Sequence, residues 1–127
     1  MKTLTLLTAT ALALTVTAVA PAQARSGDDT VRTGSCSGST DWKIKAGPDD
    51  GRMEVEAEID SNRSGQTWHW TLKHNGNVVD RGSSVTAGPS GSFEVRRRTA
   101  NAAGPDTFRF RAVHRATGET CLARVTR

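Results

Sequence analysis

The sequence is poor in the residues that build catalytic and metal sites. It has two cysteines, three histidines and no tyrosine in 127 residues, and no C-x-x-C pair. A zinc site needs four ligands, normally at close spacing, and no Cys/His set of that kind is present. No G-x-S-x-G sequence marks a nucleophilic serine either. The composition therefore predicts a protein that is not an enzyme and that holds no metal or cofactor.

The only long apolar run stands at the N-terminus. Residues 3–20 carry no charge, follow Met1-Lys2, and are followed by Pro21 and the small-x-small pattern of residues 22–24. These are the features of a cleavable export signal, and we predict cleavage after Ala24. A single-pass anchor is the alternative, but threonines dilute the run and no cluster of charges follows it. We therefore expect a secreted, extracellular protein with no stable membrane insertion after cleavage.

The charge that remains after cleavage is modest and unevenly distributed. Without Lys2, 16 basic residues stand against 13 acidic ones, and this net charge of +3 does not indicate a nucleic-acid-binding protein. Residues 25–60 are net acidic, at −4, whereas residues 81–127 are net basic, at +6. The fold decides whether this asymmetry produces a charged surface.

The two cysteines, Cys36 and Cys121, stand near the two ends of the mature chain. In an exported protein an even pair predicts a disulfide, which we prefer to a zinc or redox site. Residues 25–35 are polar, contain Gly and Ser, and show no apolar periodicity, so we expect a flexible leader there. Residues 36–127 then form one domain.

Alternation of apolar and polar residues dominates this domain, and helical spacing is absent. The clearest alternation covers residues 52–60, and Asn75-Gly76 predicts a type I′ hairpin turn. Seven strands are expected, at 40–46, 52–60, 66–74, 77–86 (an edge strand), 92–99, 107–115 and 119–126. Their number and spacing predict an all-β fold, an antiparallel seven-stranded immunoglobulin-like β-sandwich. The expected disulfide joins the first and last strands, which departs from the antibody pattern.

Several short runs resemble a known group of proteins. They are Cys36 with Trp42-Lys43-Ile44-Lys45, Asp50 to Glu56, Ser64 to Trp68, Ser90 to Phe93 and Thr117 to Cys121. Together they resemble small secreted β-sandwich proteins of high-GC Gram-positive bacteria, with immunoglobulin-like or fibronectin-like architecture. The resemblance implies an exported location and a shared fold. That group has no assigned activity, so the resemblance carries no functional residue to this chain.

The tryptophans and histidines each allow a functional and a structural interpretation. Trp42, Trp68 and Trp70 could stack on sugars, but they alternate in phase with apolar neighbours, which favours burial in the core. His69 and His114 lie on strands that are expected to be neighbours, yet no carboxylate or cysteine completes a metal set. We therefore expect the histidines to be ordinary surface residues.

The charged residues predict two different sheet faces. On one sheet, glutamates 54, 56 and 58 face Arg96 and Arg98, and cross-strand pairs neutralise the face. The other sheet joins the third, sixth and seventh expected strands, and its outward residues include no acid. The candidate anion-binding residues on this face are His69, Lys73, Arg109, Arg111, Arg115 and Arg124. A solvated arginine face, typical of a high-GC composition, is the alternative.

These observations support a functional hypothesis and one alternative to it. The hypothesis is a non-catalytic secreted domain that acts as an envelope-binding or interaction module through the basic sheet face. Its partner would be an anionic cell-wall polymer, such as teichoic acid, or an acidic exported protein. The alternative is a secreted inhibitor or partner of another exported protein, which would use the loops at 87–91 or 101–106.

Overall fold

The structure is a computed structural model that describes residues 28–127. The predicted signal peptide, residues 1–24, and the start of the predicted leader lie outside the described residues. The described chain forms eight strands and no α-helix: β1 Thr30–Ser35, β2 Asp41–Asp49, β3 Arg52–Asp60, β4 Thr67–His74, β5 Asn77–Val85, β6 Ser92–Ala100, β7 Thr107–His114 and β8 Thr120–Thr126. Within these residues, no helix could cross a membrane.

The strands form two four-stranded antiparallel sheets that enclose one core. Sheet A has the order β1-β2-β3-β6, and sheet B has the order β5-β4-β7-β8. The largest fully buried side chains come from both sheets and include Ile44, Ile59, Trp68, Phe108 and Phe110. The all-β, two-sheet prediction is confirmed, but the structure has eight strands where seven were expected.

The additional strand, β1, lies in the segment predicted to be a flexible leader. Most of its side chains are exposed, so it has no apolar alternation that the sequence could reveal. Backbone pairing with β2 holds it in register from Thr30↔Ala46 to Ser35↔Asp41. The ring of Trp42 covers Gly34, where a side chain would collide with it. The strand therefore forms from its pairing with β2 and from a glycine that admits this ring.

The hairpin between β4 and β5 determines which residues of β5 face outward. Asn75 and Gly76 have φ values of 48° and 84°, as the predicted type I′ turn requires. A bulge at Leu72/Lys73 then shifts the register by one residue. As a result Thr71 lies opposite Arg81, whereas an uninterrupted two-residue hairpin would place it opposite Asp80.

The tryptophans occupy the core to different degrees. Trp68 is fully buried and stacks on His114, with ring centroids 5.1 Å apart. Trp70 is buried too, and its indole Nε1 donates a hydrogen bond to Ser84 Oγ at 3.0 Å. Trp42 is only partly buried, at the edge of the core. The prediction of core tryptophans is thus confirmed for Trp68 and Trp70 and holds in part for Trp42.

The predicted disulfide between Cys36 and Cys121 is present. Cys36 follows β1 of sheet A and Cys121 lies in β8 of sheet B, so the bond joins the two sheets. Two backbone hydrogen bonds support this junction, from Cys36 N to Thr40 O at 2.8 Å and from Ser37 N to Thr120 O at 2.9 Å. With both thiols oxidised and paired, neither is available as a metal ligand.

Ion pairs on the outer face of sheet A largely follow the prediction. Arg96 contacts Glu56 at 2.7 Å, Glu94 at 3.3 Å and Glu54 at 3.7 Å, and Lys45 lies 3.7 Å from Glu56. Two details differ from the prediction. Arg98 pairs with Asp49 at 3.0 Å, and Glu58 lies opposite Glu94 in the register. The face is therefore neutralised around Glu56 but keeps like charges side by side at Glu58 and Glu94.

We expect Glu56→Gln to destabilise the fold in a pH-dependent way. Partial burial raises the pKa of Glu56, but the Arg96 hydrogen bond and the charge of Lys45 outweigh it and hold this pKa below the ordinary 4.5. Because the folded-state pKa is lowered, ionised Glu56 adds to the free energy of unfolding. This contribution is present above pH 4.5 and is lost as the pH falls through the lowered pKa. At pH 7 we expect the variant to lose about 1 kcal/mol of the free energy of unfolding, as measured by urea unfolding.

Glu94, which lies beside Glu56, offsets part of the stabilisation that ionised Glu56 provides. Burial and the adjacent Glu56 charge raise the pKa of Glu94, so ionised Glu94 disfavours folding, and this penalty appears as the pH rises. Glu58→Gln is the matched control: Glu58 has no ion pair among the described residues and lies opposite Glu94, so its replacement should not destabilise the fold at pH 7. A loss for Glu56→Gln that stayed constant from pH 7 to pH 3 would contradict the electrostatic explanation.

Candidate anion-binding face

Strand alternation gathers five basic side chains on the outer face of sheet B. In sheet B, odd positions of β4 and β7 and even positions of β8 point outward, while their neighbours enter the core. The bulge brings an outward arginine from β5 onto the same face. We call these five residues the basic face: Lys73, Arg81, Arg109, Arg111 and Arg124.

The register arranges the basic face in two rows across the sheet. One row contains Lys73, Arg109 and Arg124 on β4, β7 and β8. The next row contains Arg81, Thr71 and Arg111, followed by an apolar residue on β8. Strands lie about 4.8 Å apart, and outward positions on one strand are about 7 Å apart. Five positive charges therefore occupy an area of about 15 by 7 Å.

No acidic side chain of the described residues neutralises this area. Within residues 28–127, none of the five basic side chains forms an ion pair with a carboxylate. The nearest acid in sequence, Asp80, instead pairs with Arg97 of sheet A at 2.8 Å. The hydrogen bond from Arg97 lowers the pKa of Asp80 and keeps it ionised. In turn, the Arg97 guanidinium lies 5.4 Å from the centre of the Trp70 ring.

The structure places the predicted site residues as follows. Lys73, Arg109, Arg111 and Arg124 share the basic face. His69 lies on the same side of β4, where its Nδ1 is hydrogen-bonded to Ser83 Oγ at 2.6 Å. Arg115 falls just beyond β7, and its backbone N–H donates to Thr67 O at 2.9 Å. Of the six predicted residues, the structure thus brings four charged ones together on the basic face and leaves Arg115 at the end of the sheet.

Arg81 is the basic residue that the sequence-based prediction missed. The alternation in 77–86 is weak, and an unbroken hairpin from Asn75-Gly76 would have put Asp80 on this face instead. Because of the bulge, Arg81 rather than Asp80 points outward, and Asp80 lies at the edge of the sandwich. A bulge of one residue leaves no distinct sequence signal, and the exchange could not be predicted.

A shallow depression of about 220 Å³ lies in the middle of the basic face. Its lining residues come from three adjacent strands and are Thr71, Lys73, Arg109, Arg111 and Leu122. Leu122 lies directly opposite Arg111 in the register and is 53% exposed. The depression therefore combines three cationic side chains with an apolar one and a hydroxyl.

The histidines do not form a joint site. His69 points outward, whereas His114 points inward and is buried against Trp68. His74 stacks on Phe108, and its Nε2 lies 2.6 Å from Asp106 Oδ1. The expectation of surface histidines is wrong for His114, which is buried, and His74 is largely enclosed. Residues 28–127 contain no group of three or more His, Cys, Asp or Glu that could hold a metal.

The described residues also contain no hydroxyl–histidine–carboxylate series. His69 and His114 are each hydrogen-bonded to a hydroxyl, of Ser83 and Thr117 respectively, but no carboxylate is bonded to either ring. His74 is bonded to a carboxylate but to no hydroxyl. A second depression, at the disulfide end of the sandwich, is lined mainly by Ser, Thr and Gly residues.

No known protein family, curated protein or solved structure matches the chain.

Proposed function

We propose that this chain is an exported, non-catalytic binding module that recognises an anionic partner of the cell envelope through the basic face. The single observation that carries the proposal is the set of five basic side chains on the outer side of sheet B, none of which forms an ion pair with a carboxylate of residues 28–127. Guanidinium groups bind phosphate and carboxylate oxygens in a bidentate manner, which suits them to such a partner. An anionic cell-wall polymer is the partner that we favour, ahead of an acidic exported protein.

The strand order supports an immunoglobulin-like architecture for this module. Apart from β1, three strands form one sheet in the order β2-β3-β6 and four form the other in the order β5-β4-β7-β8. The seven strands thus alternate between sheets as in sandwiches of the immunoglobulin and fibronectin type. This arrangement, together with the resemblance to small secreted proteins of high-GC Gram-positive bacteria, supports a display scaffold with one flat face exposed.

Export is part of the same proposal. The N-terminal run has the composition of a cleavable signal, and the Cys36–Cys121 disulfide is compatible with an oxidising, extracellular compartment. Residues 25–127 contain all eight strands and both cysteines. This segment is therefore the form to use in binding experiments.

The proposal predicts salt-sensitive binding to cell walls. Residues 25–127 should co-sediment with isolated Gram-positive walls at low salt and be released as salt rises, because charges across a wet interface are screened. Walls stripped of anionic polymer should not bind. Arg109→Ser with Arg111→Ser should weaken binding about 30-fold, since each of the two charge-assisted contacts contributes on the order of 1 kcal/mol.

The matched control removes two arginines from sheet A. Arg32 and Arg52 are exposed and have no ion pair among the described residues, so Arg32→Ser with Arg52→Ser changes the net charge equally. If both double variants lost binding alike, net charge rather than the basic face would be responsible. If the unmodified protein failed to sediment in any condition, the proposal would be wrong, and the loops at 87–91 and 101–106 would become the candidate protein contacts.

A further inference from the structure

Most of the exposed large hydrophobic side chains of the described chain lie on the same side of sheet B as the basic face. Four large hydrophobic side chains are exposed in residues 28–127, and three of them, Val78, Val85 and Leu122, belong to sheet B. Val78 lies opposite Lys73 and Val85 lies opposite Thr67, so both share the outward side. The fourth, Val31, is on sheet A. Cationic and apolar groups therefore coincide on one face.

The depression shows the same combination at smaller scale. Lys73 and Arg109 are opposite each other on β4 and β7, and Arg111 lies opposite Leu122 on β7 and β8. All of them line the 220 Å³ depression. A phosphate held by the three cations would lie beside the Leu122 side chain. An anionic group attached to an apolar chain could contact both, whereas a fully hydrophilic polymer would leave Leu122 unused.

The composition of the face also distinguishes a lipid from a protein partner. Protein interfaces are enriched in arginine as well as in aromatic residues, but their centres are depleted in charged residues. The four Trp and Phe residues of sheet B, Trp68, Trp70, Phe108 and Phe110, are all buried in the core. The centre of the basic face instead carries charges of one sign. This pattern matches surfaces that lie on anionic bilayers, where buried apolar area and attraction to lipid headgroups act together.

We propose that the basic face docks on a bilayer of anionic phospholipid, with a lipid phosphate held in the depression by Lys73, Arg109 and Arg111. Leu122 then contacts the boundary between headgroups and acyl chains. The inference rests on the proposed function, because it assigns a ligand class to the same face. It goes further in adding an amphiphile to the anionic ligands of this face, so that vesicle binding depends on Leu122 as well as on charge.

The test measures partition of residues 25–127 onto sucrose-loaded vesicles in a sedimentation assay. The segment before residue 25 is left out because its apolar run would itself enter the vesicles. Vesicles of phosphatidylglycerol with phosphatidylcholine should bind, and pure phosphatidylcholine should not. Arg109→Ser with Arg111→Ser should weaken partition about 30-fold, at about 1 kcal/mol for each basic residue near an anionic surface.

Leu122→Ser distinguishes the amphiphile from a simple polyanion. It should weaken partition about 5-fold, because roughly half of a leucine side chain becomes buried on docking. Val31→Ser is the matched control on sheet A and should change nothing. Leu122→Ser should leave binding to lipid-free cell walls unchanged, and soluble glycerol phosphate should compete only weakly with vesicles.

The outcomes separate this inference from the proposed function. Binding to lipid-free walls without binding to phosphatidylglycerol vesicles would overturn the inference and leave the proposed function standing. Vesicle binding that Leu122→Ser does not affect would show a purely electrostatic face and would also overturn it. Binding to neither walls nor vesicles would overturn both. Capture of an acidic protein that excludes vesicles would assign the face to a protein partner.

Discussion

Replacement of both cysteines, Cys36→Ala with Cys121→Ala, is expected to lower the free energy of unfolding by about 4.5 kcal/mol. The disulfide closes a loop with a sequence separation of 85, and without it the unfolded chain gains the conformational freedom that this loop removes. The loss is close to the lower end of the stability range of a small domain, which is about 5–15 kcal/mol. Urea unfolding followed by far-UV circular dichroism measures it.

Reduction of the unmodified protein provides the control for this variant. If the effect is due to the bond, the reduced protein and the double variant should unfold at similar urea concentrations. A double variant within about 1 kcal/mol of the oxidised protein would contradict the loop-closure explanation, whose predicted value is several times larger.

Trp68→Ala is expected to lower the free energy of unfolding by about 4 kcal/mol. Trp68 is completely buried, it stacks on His114, and its indole N–H donates to Gln66 Oε1 at 3.3 Å. Truncation of a buried tryptophan to alanine removes its transfer free energy and leaves a cavity, at a typical cost of 3–5 kcal/mol. The same urea experiment reports the change through circular dichroism, which does not depend on the removed fluorophore.

Trp42→Ala is the comparison that separates a core tryptophan from a ligand platform. Because Trp42 is only partly buried at the core edge, its loss should cost about 2 kcal/mol. If Trp68→Ala cost no more than Trp42→Ala, the core position of Trp68 would be wrong. If Trp42→Ala left the fold intact but abolished wall binding, the aromatic-platform interpretation would replace the basic face.

Strong alternation made most of the fold predictable from the sequence. In β3, Met53, Val55, Ala57 and Ile59 are all buried between glutamates, and the pattern identifies both the strand and its inward side. The hairpin at Asn75-Gly76 was equally clear, because both residues tolerate the positive φ that the turn requires. A two-sheet sandwich also predicted which strands share a sheet with β4. As a result, four of the six predicted site residues lie together in the structure.

The features that were not predicted depend on contacts between segments. β1 has almost no buried side chains, so only its pairing with β2 reveals it. Arg98 pairs with Asp49 rather than with the facing glutamates, because side-chain reach rather than strand register selects its partner. The position of Arg81 depends on a bulge of one residue. Sequence alternation carries no information on any of these three.

The covalent link between Cys36 and Cys121 also determines how the domain would respond to a pulling force. Tension applied at the two ends of the described chain would pass through residues 28–36, across the disulfide, and out through residues 121–127. Six of the eight strands, β2 to β7, lie in the bypassed segment and would carry no tension. Extension would be limited to about 16 residues, or roughly 55 Å, against roughly 350 Å for the reduced chain. An oxidised domain under tension would therefore release only its terminal strands and keep most of its core folded.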